Sequence, residues 1–132
     1  MPTRSEAREW VESLFSAWEE GDPDKAAELF SEEARYHSHP FRPPMSGRST
    51  IAEYWRRAVA TQSDLKFTIG SPILDGDRVA VEWWVSLHED GHDSTSTGTL
   101  FLTYDQGGLC TLLREVWVEE PGRRPPYQGW GT

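Results

Sequence analysis

His39, Glu82 and Glu115 carry most of the chemical potential of this 132-residue chain. Histidine titrates near neutral pH, so His39 could take a proton from a carbon acid or a water, particularly if Glu115 or Glu82 orients it. Glu82 and Glu115 could also act as a carboxylate pair, because burial and like charge together raise one pKa far enough to make a general acid. Each has an ordinary alternative. His39 opens the run His39-Pro40-Phe41-Arg42-Pro43-Pro44, where it can cap backbone groups of a proline-rich turn. Either glutamate can pair with an arginine such as Arg56, Arg57 or Arg114, since a buried carboxylate needs a partner. His88, Glu89, Asp90, His92 and Asp93 are of metal-ligating type, but they fall on a hairpin turn rather than on one convergent face, so no metal site is expected.

The stretch that must position these groups is Arg78 to His88, RVAVEWWVSLH. Its alternation puts Val79, Val81, Trp83, Val85 and Leu87 on one face and Ala80, Glu82, Trp84, Ser86 and His88 on the other. The mixed face is expected to line a pocket, and the apolar face to pack against another sheet or another subunit. Trp55, Trp84 and Trp117 then either form the aromatic wall of a cavity for a flat or apolar small molecule or fill it with their own rings. The last strand alternates in the same way, with Cys110, Leu112, Arg114, Val116 and Val118 opposite Leu113, Glu115, Trp117 and Glu119.

The elements follow in order. Thr3 with Glu6 forms a capping box for a helix of about four turns ending at Gly21, and Asp22-Pro23 opens a short second helix. A strand is predicted at Ala34 to Ser38. After the proline loop, Ser49 or Thr50 with Glu53 caps a third helix whose buried stripe is Ile51, Tyr54, Trp55, Ala58 and Val59. From Leu65 the period becomes two, giving strands at Leu65 to Leu74, Arg78 to His88, Ser94 to Tyr104 and Leu109 to Glu119, with turns at Asp75-Gly76-Asp77, Asp90-Gly91 and Gln106-Gly107-Gly108. The pattern predicts an α+β domain over 1–120, with three N-terminal helices packed on one face of a mainly antiparallel sheet. Helices can cover only one face of it, so the other predicts a homodimer through the sheet. Residues 121–132 are expected to form a C-terminal arm, whose Tyr127 and Trp130 could wrap a partner or close a pocket mouth.

Composition narrows the partners. A net charge of −9 argues against nucleic acid and anionic membranes, which need a basic stripe. The one cysteine, Cys110, cannot form an internal disulfide and reads as a small buried hydrophobe; with no signal-type apolar run in MPTRSEAREW, a cytoplasmic protein is expected. Seven tryptophans in this length lean toward binding, since such rings concentrate in pockets and interfaces.

The segments AWEEGDPDKAAELFSEEARYH, SGRSTIAEYWRRA, DRVAVEWW and LLREVWVEEPG resemble the SnoaL-like branch of the nuclear transport factor 2-like superfamily, over roughly Trp10 to Glu120. The resemblance implies a cone-shaped fold with a cavity between helices and sheet, and dimerisation through the convex sheet face. It puts Leu14, Ser38, Trp55, Glu82, Trp84, Ser86, His88, Leu100, Glu115 and Trp117 toward the cavity. It also implies what is missing. Ser38 stands where ketosteroid-isomerase-like relatives have an aspartate base, and Leu14 and Leu100 replace their oxyanion-holding tyrosine and aspartic acid. The Asp-Arg-Asp set of the superfamily's epoxide hydrolases is incomplete at Glu82 and Trp84. The reading is therefore of a small-molecule-binding protein without a cofactor, with His39, Glu115 and Glu82 as catalytic candidates and Tyr36, Trp55, Trp84, Ser86, His88, Leu100 and Trp117 as ligand contacts. Its reaction would be an isomerisation, cyclisation, dehydration or hydrolysis by general acid-base chemistry; otherwise the chain is a non-catalytic ligand-binding or protein-interaction module.

Overall fold

The computed structural model describes residues 2–132. The first helix, α1 (Arg4–Glu20), starts as its residue types require: Thr3 Oγ1 accepts from the Glu6 N–H at 3.1 Å and the Glu6 carboxylate accepts from the Thr3 N–H at 2.9 Å. Gly21 ends it in the left-handed conformation (φ 71°) that a side chain resists. Its stripe of Ala7, Trp10, Val11, Leu14, Phe15 and Ala17 is buried against the sheet. Asp22 caps the five-residue α2 (Pro23–Ala27), accepting from the Lys25 N–H. The third helix, α3 (Arg48–Thr61), is capped at Gly47 with no side-chain hydrogen bond, two residues ahead of the predicted cap Ser49 and three ahead of Thr50. Instead the Arg48 guanidinium donates twice to the Phe30 carbonyl at 2.9 and 2.7 Å, tying the start of the helix to the first strand.

Seven strands form one sheet: β1 (Phe30–His37), β2 (Met45–Ser46), β3 (Gln62–Ile69), β4 (Ile73–Asp75), β5 (Arg78–Glu89), β6 (His92–Tyr104) and β7 (Cys110–Pro121). Their order is β2-β1-β7-β6-β5-β3, with β4 also paired to β5; β1 and β7 run parallel and every other pair is antiparallel. This is the expected α+β, mainly antiparallel architecture, with one difference. The helices are not all N-terminal, because α3 follows β1 and β2. The predicted strand from Leu65 to Leu74 is also broken in two at Gly70-Ser71-Pro72, where proline has no N–H to continue the ladder.

Register decides which residues share a face. Asp90 (φ 53°) and Gly91 (φ 80°) make a two-residue turn that pairs Glu89 with His92 and, further back, Val81 with Leu100. Leu100 lies opposite Glu115, and Gly98 opposite both Trp83 and Trp117. Val79, Val81, Trp83, Val85 and Leu87 therefore share the helix-covered, concave face with Leu100, Leu113, Glu115 and Trp117, and all but the last two of these nine are buried. Gly98 is required there: a Cβ on it would come within 2.1 Å of the Val116 carbonyl oxygen and 2.7 Å of the Trp117 Cβ.

The convex face carries the other set. Residues 122–132 fold back on it: the Trp84 indole N–H donates to the Arg124 carbonyl at 2.7 Å, and its ring meets Trp130 and Tyr127 edge-on at 5.6 and 6.5 Å. The buried Thr95 hydroxyl donates to the Gly122 carbonyl and accepts from the Arg124 N–H, and Gly131 sits against Gly70 with its carbonyl accepting from the Ser71 N–H. The arm thus packs on its own chain. No helix of the described residues is long and apolar enough to cross a membrane.

Candidate ligand cavity on the concave face

A cavity of about 130 Å³ opens between α1, α3 and the concave face. Leu14, Tyr36, Leu100 and Glu115 line it together with an aromatic wall of Phe15, Trp18, Tyr54, Trp55, Trp83 and Trp117. The rings brace one another: Trp18 meets Trp55 edge-on at 5.3 Å, Phe15 lies 5.8 Å from Trp83, and Tyr36 lies 5.3 Å from Tyr54. Trp117 is held by its indole N–H, which donates to the Ser38 carbonyl at 2.8 Å. Trp55 and Trp83, 3% and 4% exposed, leave their indole N–H groups with no protein acceptor.

Glu115 is the chemically distinctive group. It sits on the cavity wall, and burial pushes its pKa from 4.5 up to about 8, opposed by the Tyr36 hydroxyl donating to it. At neutral pH it is therefore a protonated carboxylic acid in an apolar, aromatic setting. Tyr36 is itself raised well above its ordinary value by burial and by the charge of Glu115. The Tyr54 hydroxyl is also raised, by burial and then by the charge of Glu115, so Tyr54, Tyr36 and Glu115 stand together as a polar group in an otherwise apolar wall. Such an arrangement can hold a proton, hand it to a ligand oxygen and take one back.

Of the residues singled out from sequence, Tyr36, Trp55, Leu100, Glu115 and Trp117 meet in this cavity. Glu82, Trp84, Ser86 and His88 do not. They lie on the convex side of β5, because its apolar face, not its mixed face, turns toward the helices. There Trp84 packs under the arm, the Ser86 hydroxyl hydrogen-bonds that of Thr95 at 2.7 Å, His88 Nδ1 hydrogen-bonds Asp93 at 2.9 Å, and a Cβ added to Gly70 would come within 3.3 Å of the Glu82 Cβ. His39 is also outside the cavity lining. Its Nδ1 accepts from the Phe41 N–H at 3.2 Å, with the two rings tilted at 51° and 5.7 Å apart, which is the turn-capping role. Asp93, beside His88, bonds Arg123 at 3.2 Å, and no three His, Cys, Asp or Glu side chains converge as metal ligands among the described residues. Cys110 is buried, and burial lifts its thiol pKa to about 12.

Phe15, Trp18, Tyr54 and Trp83 are cavity residues that were not singled out as ligand contacts. The sequence carries a signal for Trp83. The two-residue Asp90-Gly91 turn fixes the pairing of β5 with β6, so any assignment of Leu100 to the cavity brings Val81 and Trp83 with it and excludes Glu82 and Trp84.

The cavity thus lies between the helices and the concave side of a curved sheet, with the Glu115 carboxyl set in an aromatic wall. The SnoaL-like domain family matches residues 11–112, and the chain belongs to that family. No curated protein sequence matches the chain. Among solved structures it is similar to the epoxide hydrolase/cyclase-like enzyme SalBIII of pyran ring formation in the polyether salinomycin, at 22% identity, 89% of this chain, 95% of that one and a TM-score of 0.76. It is also similar to a hypothetical protein of ketosteroid isomerase-like fold from Catenulispora acidiphila in complex with trimethylamine, at 24% identity, 82% and 84% coverage and a TM-score of 0.72. A computationally designed 17-OHP binder matches at 18% identity, 89% and 98% coverage and a TM-score of 0.76. At these identities the likeness is one of fold.

Proposed function

We propose that this protein binds a small hydrophobic molecule in the concave cavity and isomerises or cyclises it, with Glu115 as the proton donor and acceptor. The observation that carries the reading is the Glu115 carboxyl, raised to about 8 by burial and backed by Tyr36. One carboxyl that gives a proton to an epoxide oxygen and takes one from the attacking hydroxyl closes a ring, and one that protonates a carbonyl oxygen and takes a carbon proton, then returns a proton to the far carbon of the dienol and recovers the enol proton, shifts a double bond; neither needs a second base. Neither His39 nor Glu82 lines the cavity, and Glu89 and Glu119 sit at its rim, so Glu115 is the carboxyl set in the aromatic wall, which favours single-carboxyl chemistry over a hydrolysis that must also activate water. Structural neighbours that hold trimethylamine or were designed to bind 17-OHP support a small-molecule role for the fold. The other cavity carboxylates, Glu89 and Glu119, lie at the rim rather than beside Glu115, which also suits the alternative, ligand binding without turnover. We further propose a cytoplasmic homodimer, paired across the part of the convex face that the arm leaves open, where Ile73, Ala80, Phe101 and Arg114 line a shallow groove.

The test is turnover of a panel of hydroxy-epoxides and β,γ-unsaturated ketones by the native chain and its variants. Glu115→Gln should lower any rate by about 100-fold or more, while Glu82→Gln and His39→Ala should leave it intact. Loss in His39→Ala with retention in Glu115→Gln would reverse the assignment. Binding of panel members without conversion would favour the non-catalytic reading.

A further inference from the structure

We propose that the cavity selects a small organic ammonium: an apolar body of about the size of a benzene ring against the tryptophan wall, with the cationic nitrogen at the rim formed by Glu89 and Glu119. This rests on the cavity being a ligand site, and not on Glu115 being catalytic.

Charge is the first ground. The ionisable side chains that line the cavity are Tyr36, Tyr54, Glu89, Glu115 and Glu119, with no arginine, lysine or histidine among them. Among the described residues none of the three carboxylates has an ion-pair partner. Glu89 accepts from the Thr61 hydroxyl and Glu119 from the Ser96 hydroxyl at 3.4 Å. A hydroxyl donor solvates a carboxylate but leaves its charge uncompensated. Glu89 pairs with Gln62 across β3 and β5, and Glu119 with Ser96 across β6 and β7, so both belong to the same end of the sheet, away from the deep residues Leu14 and Leu100. An anion entering past them pays repulsion and finds no donor cation inside, whereas an ammonium gains from both.

The second ground is the wall. Trp55, Trp83 and Trp117 give the apolar body its wall, while Trp18, whose indole N–H donates to the Gln62 side chain at 2.6 Å beside Glu89, brings an aromatic ring to the rim, where a ring quadrupole adds to the attraction for a cation. Trp55 and Trp83 also keep buried indole N–H groups without a protein acceptor, a demand that a ligand or water oxygen at the wall can meet. Cavities of about 150 Å³ accept benzene, so a space of about 130 Å³ suits one ring or a short branched chain, with the polar head left at the mouth.

Benzylamine, benzyl alcohol and benzoate share one body and differ in charge, which makes them the probes. Their affinities can be read at pH 7 and low salt from the indole N–H resonances of Trp55 and Trp83. Benzylamine should bind about tenfold tighter than benzyl alcohol and benzoate should be the weakest, with the preference shrinking as salt is raised. Replacing both rim carboxylates, Glu89→Gln with Glu119→Gln, should bring benzylamine down to the level of the alcohol while benzyl alcohol itself is unmoved. Should the double variant fail to fold, Glu119→Gln alone, at an exposed position, should remove about half of the preference on a logarithmic scale. Equal affinities, or a preference for benzoate, overturn the proposal and leave the ligand-site reading standing. If no probe moves the two indole resonances, the ligand-site reading fails and takes the proposal with it.

Discussion

Trp83 and Trp84 are neighbours on one strand, and the two faces of the sheet treat them in opposite ways. Trp83 is 4% exposed, packs on Phe15 at 5.8 Å and has no acceptor for its N–H. Trp84 is half-buried, yet its N–H is satisfied by the Arg124 carbonyl and its ring is clasped by Trp130 and Tyr127. On the convex side the chain answers its own polar groups, with Ser86, Thr95, Gly122 and Arg124 closed into one hydrogen-bonded patch. On the concave side it leaves space, two open donors and an acid that burial holds protonated. A folded chain tolerates unmet polar demand where a ligand can meet it, and the concave face is the less satisfied of the two.

The sharpest way to break that comparison is to truncate each indole in turn. Trp83→Ala should cost about 3–5 kcal/mol, the range for removing a buried aromatic from a packed core. Trp84→Ala should cost about 1–2 kcal/mol, since it gives up a half-exposed ring and one hydrogen bond. Urea midpoints of the two variants measure the difference. Equal losses would mean that the arm side is as much core as the helix side.

The same strand shows how far residues alone could be read. The alternation of RVAVEWWVSLH is plain, and so are the cap at Thr3, the stop at Gly21 and the turn at Asp90-Gly91, because each depends on neighbours within a few positions. Which face of β5 turns inward depends on what covers it. With a tryptophan on each face, composition does not decide the matter, and the polar row of Glu82, Ser86 and His88 reads as a pocket although it is the arm and the turn that occupy it. Glu115, Trp117, Trp55, Tyr36 and Leu100 were legible as cavity residues through family resemblance and alternation. The raised pKa of Glu115 was not, because it comes from wall residues contributed by α1, α3 and β1 that lie far from it in sequence.

That buried acid gives the second, smaller effect. Below about pH 4.5 both the folded and the unfolded chain carry the Glu115 proton, and its burial costs no ionisation. Between 4.5 and about 8 the unfolded chain releases the proton while the folded chain keeps it, so the folded state binds more protons and stability falls as pH rises. The loss is complete once pH passes the folded value, and amounts on the order of a few kcal/mol. Glu115→Gln should erase this share, so the native-minus-variant difference in stability, followed by urea titration from pH 4 to 9, should fall with pH over that window. A flat difference would mean that the carboxyl is solvated, and the concave face would then lose the feature that most separates it from the convex one. Glu82→Gln, on the other face, supplies the control.

Removing residues 122–132 tests the convex side with the smallest expected cost. The arm contributes the Trp84 hydrogen bond, the two Thr95 contacts, the Ser71 N–H to Gly131 bond and the half-exposed Arg123–Asp93 pair, but Thr95 keeps Ser86 as a partner and water can reach the rest. About 1–2 kcal/mol of stability should be lost. The larger consequence is the surface left behind: Trp84 would join the exposed Val116 and Val118 in one apolar tract, which a sheet-face homodimer would cover. Light scattering should therefore show the truncated chain associating more strongly than the intact one, while benzylamine affinity and the Glu115 titration stay where they were, because both belong to the other side. If truncation instead shifts that titration or weakens the amine, the sheet transmits between its faces, and the division of labour between Trp83 and Trp84 is one of degree.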